Sequence, residues 1–156
     1  MDTNIDISLK PVHWRDFPEI EICWDDDVLF RGELDHEHVK TFNVSGTVGA
    51  HRLSVEFYNK NDSDTVVDKN LDKAIIINGV GFESMWFDSF MHSARYWPTY
   101  PDAYRRTCEQ QRIVLEPSIA SNYLGWNGKW VLPVEFPIYT WIHETENLGW
   151  IYEKNL

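Results

Sequence analysis

From residue 5 to residue 82 the chain repeatedly alternates apolar and polar positions, the period-two signature of half-buried strands, and it shows no helical periodicity there. Residues 5–9 alternate weakly and predict an edge strand stopped by Pro11. Residues 18–24 alternate clearly, with Ile20, Ile22 and Trp24 on one face, and Asp25, Asp26 and Asp27 read as a hairpin tip leading into residues 28–34. Residues 42–44 continue as strand, and Ser45, Gly46 and Gly49 mark the next turn. Leu53, Val55 and Phe57 then alternate with Arg52, Ser54 and Glu56. Residues 74–77 form a short unbroken apolar run closed by Asn78 and Gly79, which fits a central strand. Short strands with turn signals at close intervals predict an antiparallel sandwich.

The second half is less regular. Residues 82–90 alternate in part. Residues 93–104 gather Tyr96, Trp97, Tyr100 and Tyr104 around Pro98 and Pro101, so no regular element runs through them, although Pro101 can open a short helix through Cys108. A tight turn at 123–128 leads into a strand on which Trp130, Leu132, Val134 and Phe136 alternate with Val131, Pro133 and Glu135, and Pro133 predicts an edge strand or a bulge. Residues 137–141 read as a closing strand and 149–152 as part of a docked aromatic tail. The expected architecture is one all-β domain over 1–156, a jelly-roll antiparallel β-sandwich with at most short helices. Its parts are a module-like core at 17–85, an irregular aromatic segment at 86–128, and closing strands with the tail at 129–156.

Composition narrows the function. The 156 residues can bury a substantial core, and 15% are aromatic (8 Trp, 7 Tyr, 8 Phe), which suits a sandwich core, a sugar-stacking face or a protein interface. A formal net charge of -11 argues against a nucleic-acid partner. Cys23 and Cys108 have no metal or redox spacing and are expected to be free thiols. The start is polar and acidic, without the pattern of a signal peptide, and no apolar run reaches the length of a membrane span, so synthesis in the cytoplasm is expected.

Between the strands at 49–58 and 74–77 lies a loop with Asp62, Asp64, Asp68 and Asp72 and with Asn59, Asn61 and Asn70. So many oxygen donors suit a hard cation such as calcium; the plainer reading is a solvated acidic connection. The exposed-ring candidates for stacking on sugar are Trp86, Tyr96 and Trp97, and the plainer reading of such rings is a plug over the sandwich edge. Glu135 with Glu144, or Glu83 with Asp88, could be arranged as a glycosidase pair, but any acidic sandwich offers such pairs. No nucleophile elbow, zinc motif or phosphate loop is present, so no enzyme is expected.

Gly49-Ala50-His51-Arg52-Leu53, Val55 to Asn59, Asp68-Lys69-Asn70-Leu71 and the run 75–79 follow one another in an order that resembles the calcium-dependent carbohydrate-binding modules of families 36 and 60, over about residues 17–85. That resemblance implies a jelly-roll sandwich in which a loop-borne calcium directly ligates a vicinal diol of a glycan. It implies Asp68 as the metal-binding aspartate; Asp62 or Asp64 could supply a further carboxylate after a small loop shift, and Asn59 and Asn70 are the candidate ligand contacts of the loop. Two departures are specific: Asn59-Lys60 stands where the family usually has Asn-Asp, and Asp72-Lys73 replaces what is usually an apolar or aromatic pair. In the C-terminal half, LGWNGKW at 124–130 and PIYTWI at 137–142 resemble small structural proteins of marine tailed phages (myoviruses). The resemblance implies a virion location, with other virion proteins or a second copy as partners. The resulting expectation is a non-catalytic, calcium-assisted carbohydrate-binding module carried on a bacteriophage virion or other multivalent assembly. The alternative is a purely structural virion protein in capsid decoration, tail or baseplate that docks without binding sugar.

Overall fold

The computed structural model describes residues 1–146. Among these residues, ten strands make two antiparallel sheets. The first is built on β1 (Asp2–Val12), which lies between β4 (His38–Ser45) and β6 (Ala74–Phe82). The short β7 (Met85–Trp86) and β9 (Tyr123–Leu124) also pair with β6. The second runs β3 (Asp27–Glu33), β2 (Glu19–Trp24), β5 (Gly49–Phe57), β10 (Gly128–Phe136), β8 (Arg95–Pro98). Three short helices complete the set: α1 (Phe90–Ser93), α2 (Asp102–Gln110) and α3 (Ile138–Thr145). The expected antiparallel sandwich with few short helices is what the chain forms.

Alternation dictates the core. Ile5, Ile7 and Leu9 of β1 and Ile20, Ile22, Leu53, Val55, Phe57, Trp130, Leu132 and Val134 of the second sheet all point inward and are buried. Each such aliphatic side chain contributes about 1.5–3 kcal/mol by leaving water. Asn78 is an extra residue in β6: Leu9 pairs with Ile77 and Ser8 with Gly79. This bulge shifts the phase, so Ile75 and Ile77 before it and Val80 and Phe82 after it all face the core. Asn78 and Gly79 therefore do not close the strand, as the sequence suggested; they let it continue.

Two other expectations are corrected, and the edge position expected at Pro133 holds for the second half of its strand. The segment around residues 5–9 is an inner strand with partners on both sides, and Pro11 is accommodated within β1 because pairing with β4 has ended at Leu9. Pro133 sits inside β10, beyond Val131, where β8 stops pairing, so the strand is internal in its first half. Residues 138–145 are a helix, not a closing strand. Ile138, Trp141 and Ile142 have the spacing of one helical face, with both isoleucines buried and Trp141 packed on Phe82 and Phe87. Residues 149–152 lie outside the described residues. Cys23 and Cys108 are buried free thiols.

At the opposite end of β5 from the acidic loop, His51 ties the hairpin tip to the sheet. Its Nδ1 lies 2.7 Å from Asp25 Oδ2 and its Nε2 2.7 Å from the Thr47 carbonyl, so two acceptors call for the doubly protonated ring. The ring stacks on Trp24 at 5.2 Å, and a Cβ on Gly46 would come within 2.4 Å of it. The Thr47 carbonyl first and the Asp25 carboxylate second hold the imidazole above its ordinary value of 6.5. Because the folded-state value is raised, the stabilisation is complete below 6.5 and is lost as pH rises through the higher folded value. Urea unfolding across that range should show stability falling with pH, and His51→Phe, which keeps a ring on Trp24, should flatten this part of the profile.

Candidate functional site

Strand register brings three connections to one end of the sandwich. Gly128 is paired with both Phe57 and Pro98, so the loop after β5, the segment after β8 and the turn before β10 leave the sheet at the same level. Only glycine serves at 128: its φ is +150° and a Cβ would stand 2.4 Å from the Trp97 carbonyl oxygen. Asn127 clamps the first loop, accepting from the Lys60 backbone N–H at 2.8 Å and donating to the Lys60 carbonyl at 3.0 Å. The Tyr96 hydroxyl donates to the Trp126 carbonyl and accepts from the Trp126 N–H at 3.0 Å.

The loop itself holds two 3₁₀ turns, Asp62–Asp64 and Val67–Lys69. Asp64, only 1% exposed, is its inner anchor. Its Oδ1 accepts from Arg15 Nε at 2.9 Å, its Oδ2 accepts from the Asn61 N–H at 2.7 Å, and Lys73 Nζ stands 3.7 Å away. Burial pushes this carboxyl up, but the Asn61 N–H and the Arg15 and Lys73 charges together hold it below the ordinary 3.8. Lys73 Nζ donates to the Asn59 carbonyl at 2.8 Å and to Asp16 Oδ2 at 3.0 Å, with its side chain 2% exposed. Lys60 Nζ donates to Asp72 Oδ1 at 2.7 Å and to the Gly125 carbonyl. Asp72 also accepts from Thr65 and Tyr123 hydroxyls and the Lys73 N–H. Its burial is outweighed by those donors, Lys60 first, so it too lies below 3.8.

Beside this loop opens a cleft of about 850 Å³, floored by Lys60 and Asp72 and walled by Tyr100, Tyr104, Tyr123 and Trp126. Tyr100, Tyr104 and Trp126 form one ring cluster, with centroids 5.1–5.9 Å apart. Pro101 ends the extended segment and α2 starts at the next residue, which places Tyr104 one turn from Tyr100. The clustering of those two tyrosines around a helix start was visible in the sequence; their meeting with Trp126 was not.

The residues singled out from the sequence are dispersed. Asp64 is enclosed by cations, whereas Asp62 and Asp68 are exposed, and among the described residues no group of three His, Cys, Asp or Glu side chains is placed to hold a metal. Asn59 is committed to the scaffold: its side chain accepts from the Glu19 N–H at 2.7 Å and donates to the Phe17 carbonyl at 3.1 Å. Asn70 takes the left-handed conformation (φ 55°) that ends the second turn. Tyr96 is fully buried and cannot serve as an exposed stacking ring. Trp86, 52% exposed, lies over Gly79 and Gly81 on the first sheet, and Trp97, 50% exposed, stands on β8; neither lines the cleft.

No protein-family model matches the chain, and no curated protein matches it. Among solved structures it is similar to the carbohydrate-binding module vCBM60, described in terms of a circular permutation linking two families of calcium-dependent carbohydrate-binding modules. The TM-score is 0.52 at 9% identity, over 83% of this chain and 89% of that one. It is similar also to vCBM60 in complex with galactobiose, with TM-score 0.51 and 9% identity over 83% of this chain and 96% of that one. At that identity the likeness shows the sandwich fold. The loop donors do not fit calcium: the ion takes six to eight oxygens, and here the inward carboxylates of Asp64 and Asp72 are already met by Arg15, Lys73 and Lys60.

Replacing Asp64 with asparagine leaves Lys73 and Arg15 facing a neutral group in a buried site. Asp64→Asn should cost about 3 kcal/mol in urea unfolding. Because the folded values of Asp64 and Asp72 are depressed, the wild type should keep this stabilisation above 3.8 and lose it as pH falls below. The variant should show a shallower acid limb.

Proposed function

We propose that this chain is a non-catalytic carbohydrate-binding module whose glycan lies in the ring-walled cleft between the loop after β5, the start of α2 and the turn before β10. The cleft carries this reading: aromatic faces offer stacking surface for the C–H faces of a sugar, and polar groups at its rim meet hydroxyls. Tyr104 and Tyr123 are the accessible rings, each 39% exposed, and Tyr104 extends the face of the Tyr100–Trp126 pair. Asp62, Asp72 and Asp102 border the same cleft, so a neutral glycan suits it better than an acidic one. The sandwich supports the reading by its similarity to modules of this kind, one of them holding galactobiose.

Contacts this few give weak affinity at each site, and display in several copies raises the effective strength. The virion setting implied by the C-terminal resemblance would supply such copies.

A glycan array that includes galactobiose, followed by calorimetric titration with the best neutral binder, tests the assignment. Tyr104→Ala should weaken binding about tenfold, as removal of a central aromatic contact does, while Trp86→Ala and Trp97→Ala leave it unchanged. Absence of any glycan ligand would count against the reading, as would binding that survives Tyr104→Ala and disappears with Trp97→Ala.

A further inference from the structure

We infer that Lys60 and Lys73 supply within this loop the positive charge that a bound divalent cation would otherwise supply, so that the loop and the cleft beside it are ordered without calcium. The inference rests on the glycan-site reading only for what the loop is used for; the cationic staple stands on geometry alone.

The two lysines sit at the two ends of the loop, and each reaches across to the other end. Lys60 follows the last residues of β5 and its ammonium meets Asp72. Lys73 immediately precedes β6 and its ammonium meets the Asn59 carbonyl. The neck of the loop is thus closed by two reciprocal ammonium contacts. Each also fastens the neck to a neighbour. Lys73 adds Asp16 in the segment before β2, and Lys60 adds the Gly125 carbonyl in the turn that walls the cleft.

The surroundings of Lys73 Nζ are those of a small hard cation: a carbonyl oxygen at 2.8 Å and carboxylate oxygens at 3.0 and 3.7 Å, with almost no water access. An ammonium has three donors and this one faces three oxygens. The inward carboxylates, Asp64 and Asp72, are matched by Arg15, Lys73 and Lys60, and exposed Asp16 at the rim also meets Lys73, so the inward pair carries no uncompensated charge that would draw a divalent ion. Calcium placed among the same oxygens would sit against the ammoniums and would have to expel one from a buried site, at a cost its few remaining ligands do not offset. No buried side-chain nitrogen or oxygen among the described residues lacks a partner, so the loop holds no unsatisfied buried donor or acceptor for an ion to complete.

Thermal unfolding with no glycan present is the test, run on metal-stripped protein in chelator, in millimolar calcium chloride, and in potassium chloride of equal ionic strength. The melting temperature should be the same in all three, and calorimetry should detect no stoichiometric calcium. Lys73→Met, of similar length and without charge, should lower it by about 10 °C in each buffer. A wild-type melting temperature that rises in calcium beyond the potassium control overturns the inference, as does Lys73→Met melting like wild type. Should Lys73→Met fail to fold, Lys60→Met, at the more accessible staple, and the wild-type calcium titration decide the matter in the same terms. Calcium-independent stability together with an empty glycan array would leave the staple standing and remove the functional reading. Calcium-dependent stability with glycan binding would do the reverse.

Discussion

In a chain of net charge -11, the connection between β5 and β6 carries Asp64 and Asp72 inward at one end of the sandwich, and everything at that end depends on how their charge is met. Carboxylates brought in from water are costly unless paired and hydrogen-bonded. Here the pairing is internal. Arg15 and Lys73 hold Asp64, Lys60 holds Asp72, and backbone N–H groups of Asn61 and Lys73 take up the remaining lone pairs. The same contacts fix the path of the loop, and through Gly125 and Asn127 they fix the turn that carries Trp126. The cleft is therefore a consequence of charge compensation as much as of strand register.

Register supplies the other half. Pairing of Gly128 with Phe57 on one side and Pro98 on the other sets three connections level with each other, so that rings from α2 and from the turn before β10 meet above the loop. The likeness to a carbohydrate-binding module at 9% identity shows how little of the sandwich itself needs particular residues in the sheets: alternating apolar positions of adequate volume build the layers. What distinguishes this chain lies in the connections, where function is ordinarily carried.

The strands were legible because their burial alternates, as in Leu53, Val55 and Phe57, and that pattern survives any change of partner. Pairing order was not. Alternation at residues 5–9 reports which face is buried but not whether partners lie on both edges, and the bulge at Asn78 looks in sequence like a strand end because a phase shift and a terminus share the same residues. Ile138, Trp141 and Ile142 fit either period over so short a run, and only packing on Phe82 and Phe87 decides for a helix. At the loop, the sequence showed both lysines as departures from the family pattern but not where they point. A side chain of that length can reach solvent or fold inward, and the oxygens that draw Lys73 inward come from residues as distant as Asp16. The aspartates marked as metal ligands, Asp62, Asp64 and Asp68, were chosen by closeness in sequence; two turns of 3₁₀ helix between them leave Asp64 buried and the other two exposed.

The account stands on the ammonium groups of Lys60 and Lys73 being sequestered among oxygens. Hydrogen-bonded ammonium protons shielded from water exchange slowly enough to be seen directly by correlating lysine side-chain ¹H and ¹⁵Nζ in nuclear magnetic resonance. In metal-free protein two such protected ammonium signals should be present, one lost in Lys60→Met and the other in Lys73→Met, and neither should move when calcium is added. Ammonium protons exchanging at the rate of free lysine, or signals that appear or shift only with calcium, would contradict it.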